Sequence, residues 1–213
     1  QDPSTFMPLN YSTVKKKVEK SNVEIEDPKK NIKSSTWEKR GELFQDVFLI
    51  GIEQASEGMS PMTLKLFYKE PLEVQSETKN GDAYEIYVYD HINYVFINGM
   101  LQFWVNTKPI SEDPLGESMN SYIKALELDE KGKITDKVKG DMIELKSQMK
   151  RNGVNYYYQD NYVGALNSFK NVLTINELPM FDGEFDTIMV QYSGIISREI
   201  AVKTENKDLY RDC

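Results

Sequence analysis

The sequence predicts a mainly α-helical fold with a four-stranded antiparallel β-meander inserted into it, and three observations carry that prediction. Apolar residues recur at spacings near 3.6 up to about residue 57 and again from 110 onward, the period of helices with one buried face. Between about 71 and 106 the period drops to 2, and Asn80-Gly81 and Asn98-Gly99 punctuate that stretch with the pair best suited to tight hairpin turns. The helical part also repeats its own spacing of small and large residues.

The elements follow in order. Residues 11–26 read as a short helix with Val14 and Val18 one turn apart and Lys15, Lys16, Lys17 and Lys20 around them. Residues 1–40 hold nine Lys/Arg against six Asp/Glu, so segment 1–27 is expected to be a basic arm able to dock on an acidic partner or surface. Asp27-Pro28 offers a cap and a first-turn proline. From there Ile32, Trp37, Gly41, Phe44, Phe48 and Ile52 predict one long helix over 28–56, stopped by Gly58. Ser60-Pro61 restarts the chain in a short helix with Leu64, Phe67 and Tyr68 on one face. Strands are expected at about 71–78, 83–89, 93–97 and 100–106. Helices return at 114–128, at 135–158, from Tyr162 behind the cap signal Asp160-Asn161, and at about 184–202 after Pro179. The last is expected to be lined by Phe185, Ile188, Val190, Tyr192, Ile195 and Ile196. The predicted organisation is an arm at 1–27, a helical domain at 28–57 and 110–213, and an insert at 58–109.

Composition removes several function classes. The chain has 213 residues, 28% of them charged, with 13 Tyr, 9 Phe and 2 Trp, too aromatic for a disordered chain. Its net charge of −8 lacks the cationic footprint of a nucleic-acid binder, so no nucleic-acid partner is expected. No apolar run approaches the roughly 20 residues of a transmembrane helix. One histidine, His91, and one cysteine, Cys213, cannot supply a multi-imidazole or thiolate metal centre. Asp182, Glu184 and Asp186 alternate near a helix start but lack the glycine and terminal glutamate of a calcium loop. No glycine-rich phosphate loop or nucleophile elbow occurs, so no metal, cofactor or catalytic residue is predicted and the chain is read as a non-enzyme. Asp90 with Glu85 is the single carboxylate pair an enzyme reading would consider. The start at Gln1-Asp2 fits cleavage behind a leader, which predicts an exported, periplasmic or envelope-associated protein. The helical pattern still running at Cys213 leads to the expectation that the natural chain continues.

In RNGVNYYYQDNYVGALNSFKNVL, Gly153 is followed by Tyr156, Tyr162, Ala165 and Phe169 at offsets that resemble the tetratricopeptide repeat. Met149, Val172 and Glu177 stand where that repeat usually has tryptophan, alanine and proline. Trp37, Gly41 and Phe44 carry the first-helix offsets of a second copy, and Tyr122 with Ala125 those of the end of its second helix, with the insert between. Gly194 opens a third copy whose second helix would begin near 208. GMSPMTLKLFYKEP, Gly58 to Pro71, is similar to the start of the bacterial outer-membrane lipoprotein family SmpA/OmlA, though Lys69 stands at its usual glycine.

The repeat resemblance, of a type met in Bacteroidetes-like bacteria, implies an α-solenoid of antiparallel helix pairs with a groove lined by first-helix side chains. Asn152, Asn155, Gln159, Gln191 and Arg198 are the residues it implies for binding a peptide or protein partner, making the chain an interaction scaffold. The alternative reading is a glycan-binding module in which Tyr87, Tyr89 and Trp104 stand exposed in a row on the sheet.

Overall fold

A computed structural model describes residues 5–182 and 184–204, and its chain divides into two units. The first comprises residues up to Glu26 together with Leu43–Pro114; the second comprises Asp27–Glu42 together with Leu115 onward. The division therefore falls inside a helix, after Glu42, whereas the sequence reading placed it at 57/58, and the basic arm belongs with the meander.

In the first unit, α1 (Tyr11–Glu26) starts where the Asn10 side chain accepts the Thr13 N–H. Its Val14 and Val18 pack on Phe44, Val47 and Ile50 of the following helix and its exit, with Leu9, Tyr11, Leu43 and Ile110 around them. That helix, α2 (Ser34–Leu49), is much shorter than the predicted 28–56. At its start the Asp27 carboxylate accepts the Lys29 N–H and the backbone turns through residues 27–33, so the cap signal makes turns instead of a helix and Ile32 stays exposed. At its end Gly51 takes a left-handed φ of +79° and its carbonyl accepts the Tyr94 hydroxyl, so the chain leaves the helix seven residues before Gly58. Ile52 is still buried, but from a loop.

Ser60 caps α3 (Pro61–Tyr68) by accepting the Thr63 N–H, as its sequence predicts. The strands β1 (Glu73–Lys79), β2 (Asp82–Val88), β3 (Ile92–Ile97) and β4 (Met100–Asn106) form one antiparallel sheet in chain order. Both Asn-Gly pairs sit at the hairpins with positive φ at each residue. The register sets Tyr87 opposite Tyr94 and Tyr94 opposite Trp104, so these rings share one face. Helix α3 lies over that face, with the Tyr68 ring 5.9 Å from Tyr94 and Lys65 Nζ 5.6 Å above Tyr87.

The second unit is helical: the start of α2, then α4 (Pro114–Glu127), α5 (Thr135–Tyr158), α6 (Tyr162–Asn176), a single 3-10 turn at Pro179–Phe181, and α7 (Thr187–Thr204). Two glycines set its packing. A Cβ on Gly41 would lie 2.5 Å from the Tyr122 ring, and one on Gly153 would lie 2.7 Å from Phe169 Cζ, so each glycine is the notch into which an aromatic ring of a neighbouring helix fits. Ser118 Oγ donates to the Gly41 carbonyl beside the first notch, and Ala165 is fully buried near the second. Ion pairs fix α2: Arg40 to Glu117, and Lys137 to both Glu38 and Glu42. Asn161 caps α6 by accepting the Gly164 N–H.

The predicted lining of α7 is rotated. Its buried residues are Met189, Ser193, Ile196, Ser197, Ile200 and Ala201, while Phe185, Ile188, Val190, Tyr192 and Ile195 are exposed. The helix is apolar on two faces, and α6 covers the one carrying Met189 and Ile196. The helix also starts at Thr187 and not near 184, because Asp186 Oδ1 accepts the Met189 N–H as its cap. The second helix expected after Gly194 lies outside the described residues.

Candidate functional site

The second unit carries an open cleft of about 290 Å³ between α5, α6 and α7. Val154, Tyr157 and Tyr158 line it from α5, Phe169 from α6, and Tyr192, Ile195 and Ile196 from α7. Phe169 and Ile196 are buried at its floor, while Tyr157, Tyr158, Tyr192 and Ile195 are 38–46% exposed and form its rim. The notch at Gly153 creates this floor, because it seats Phe169 deeply enough for Tyr192 to meet it at a ring distance of 5.8 Å. Tyr157 packs edge-on against Tyr158 and Tyr162, at 5.9 and 5.6 Å, so the rim rings brace one another.

One edge of the cleft region is charged. The Tyr162 hydroxyl donates to Asp160 Oδ1, and Lys203 Nζ stands 4.1 Å over the Tyr162 ring and 3.8 Å from the same carboxylate. The bond to Asp160 holds the Tyr162 phenol above its ordinary range. Between α5 and the start of α7, Lys146 reaches Glu184 and Asn176, and Lys150 reaches Asp186 at 2.6 Å. Burial opposes the Asp186 charge, but Lys150 and the backbone N–H groups of Met189 and Ile188 outweigh it and hold the carboxyl below its usual value. Two members of the acidic triplet thus have structural roles: Glu184 and Asp186 pair with lysines, and Asp186 also caps the helix.

None of the five polar residues predicted for the groove lines this cleft. Asn155 is buried inside the second unit, and Gln159 turns its side-chain amide back to the Asn155 carbonyl. Helical spacing places Asn152, Asn155 and Gln159 on a different face of α5 from Val154, Tyr157 and Tyr158. Gln191 and Arg198 are exposed on α7, four before and three after Ile195, and so border the cleft. A legible signal was present in Tyr156-Tyr157-Tyr158: three consecutive tyrosines span too wide an arc of a helix to be buried together.

The exposed aromatic row predicted on the sheet is not there. Tyr87 and Trp104 are buried, and Tyr89 is half-buried with its hydroxyl donating to the Lys69 carbonyl at 2.9 Å. Burial pushes the Tyr89 phenol up to about 12, with Glu70 and Tyr87 adding to it. The reason is the register, which gathers the rings on the face that α3 covers. His91 stacks on Tyr11 at 3.8 Å, and its Nε2 lies 3.0 Å from Asp90, which Lys108 also pairs. Among the described residues, no three His, Cys, Asp or Glu side chains converge to hold a metal ion. No helix among them is long and apolar enough to cross a membrane. Cys213 lies outside the described residues.

Comparison with protein-family models, with curated proteins and with solved structures finds no match to this chain.

Proposed function

We propose that the chain is a non-enzymatic interaction scaffold of an exported or envelope-associated bacterial protein, binding a peptide segment of a partner through the α5–α6–α7 cleft. The observation that carries this reading is the rim of half-exposed Tyr157, Tyr158, Tyr192 and Ile195 above a buried Phe169 floor. Tyrosine rims supply contact area at low entropy cost and keep a hydroxyl for the partner's backbone, and a cleft of this size takes one or two apolar side chains. The ligand is accordingly a segment with an aromatic or branched aliphatic anchor, its flanks meeting Gln191 and Arg198.

The helical unit is read here as a tetratricopeptide-like stack. Supporting this are the two glycine notches, Gly41 under Tyr122 and Gly153 under Phe169, which stand at matching offsets of two copies, and the packing of α5 on α6 and α6 on α7.

The test is selection of peptides from a displayed library on the full chain, followed by affinity measurement with an Ile195→Glu variant. The expected result is a selected family sharing an apolar anchor whose binding falls about tenfold or more in the variant, as loss of a central anchor pocket does. Peptides that bind both proteins equally would place the binding surface elsewhere.

A further inference from the structure

We propose that the chain pairs with a second copy of itself through β1, joining two meanders into one continuous eight-stranded sheet. Strand β1 is an edge of the sheet, and all seven of its residues, Glu73 to Lys79, are exposed. It contains no proline, and the one irregularity of the sheet lies between β3 and β4, at Val95/Phe96. An edge strand offers alternate backbone N–H and C=O groups to any strand that can align with it. The opposite edge is already engaged by the chain itself: Gly58 N–H donates to the Leu101 carbonyl at 2.8 Å, and Leu101 N–H to the Met59 carbonyl at 2.9 Å.

The identity of the partner strand follows from symmetry and charge. A copy added antiparallel across a two-fold axis normal to the sheet keeps the same face upward, so odd-numbered residues must oppose odd-numbered ones. Three such registers pair most of the strand. Centred on Gln75, the register sets Glu73 against Glu77 of the second copy; centred on Glu77, it sets that glutamate against itself. Centred on Ser76, all seven residues pair, and Glu73 faces Lys79 of the second copy at both ends. The same register places Val74 opposite Thr78 twice, β-branched side chains that pack well across strands. The strand is thus self-complementary in one register and charge-opposed in the two adjacent ones.

The experiment is sedimentation equilibrium of the full chain at low ionic strength, with Lys79→Glu, Glu73→Lys and the double variant beside it. The expected result is a monomer–dimer equilibrium whose dissociation constant rises about tenfold in each single variant and returns to within about threefold of the original in the double, where both pairs are restored with reversed sign. Because all three variants alter exposed side chains of an edge strand, their far-ultraviolet circular dichroism should match the parent. A monomer at every concentration, a dimer indifferent to the single reversals, or a double variant no better than the singles would overturn the proposal.

Discussion

At the scale of single residues, the difference between Gly153 and Gly140 shows how context decides what one methyl group does. Both lie in α5. A Cβ at Gly153 would collide with the Phe169 ring, which packs directly on the glycine from the floor of the cleft, whereas nothing lies within 4 Å of a Cβ at Gly140. Gly153→Ala should therefore destabilise the second unit by about 1–3 kcal/mol, the cost of pushing a packed ring out of the notch that seats it. Gly140→Ala should stabilise it by about 0.5–1 kcal/mol, since alanine loses less backbone freedom in a helix. Urea unfolding of the two variants checks the pair, and a shift of the same sign in both would contradict it. The glycines at 41 and 153 were legible in the sequence as repeat positions. Their ring partners were legible only as large residues at the right offset.

At the scale of elements, the start of α7 depends on a charge. Asp186 caps the helix and pairs with Lys150, and its carboxyl titrates below the ordinary aspartate value. A carboxyl with a depressed folded pKa stabilises the fold fully above its unfolded value, near 3.9, and loses that contribution as pH falls through the folded value. Asp186→Asn keeps a side chain able to cap but removes the charge. The variant should be less stable than the parent at pH 7, with the gap closing as the solution is acidified below about pH 4; urea titrations at the two pH values would show it. A gap that persists unchanged in acid would assign the effect to shape and not to charge.

What could be read of the elements sorts by how local their causes are. The Asn-Gly hairpins and the Ser60 and Asn161 caps were legible because side chain and backbone interact within a few residues. The overlong helix predicted at 28–56 failed because periodicity cannot see that the Asp27 side chain bonds Lys29 or that Tyr94, over forty residues away, anchors Gly51. The rotation of α7 failed for a related reason. With apolar residues on two faces, its own sequence does not say which one α6 will take, and that choice decides whether Ile195 is core or rim. On α5 the same ambiguity set Asn152, Asn155 and Gln159 on a face away from the cleft, with Asn155 buried.

For the whole molecule, each unit holds one of the two tryptophans. Trp104 is buried in the sheet, and Trp37 sits half-buried on α2 with its Nε1 donating to the Asn31 carbonyl at 2.7 Å. In single-tryptophan proteins made with Trp37→Phe or Trp104→Phe, adding Gly153→Ala should lower the denaturation midpoint read by Trp37 and leave that read by Trp104 in place. Equal shifts at both reporters would mean that the two cores melt as one cooperative body.

Because residues 27–42 belong to the second unit while the segments on either side belong to the first, the chain leaves and re-enters each core during synthesis. Every residue of the first unit has been made by Pro114, but the stretch carrying Glu38, Arg40 and Glu42 must wait for Glu117 and Lys137 to emerge from the ribosome. A waiting segment anchored by apolar side chains would offer a sticky surface to other nascent chains. Glu38, Arg40 and Glu42 stay hydrated until their counter-ions arrive, which keeps that side of the segment soluble before Tyr122 emerges to fill the notch at Gly41.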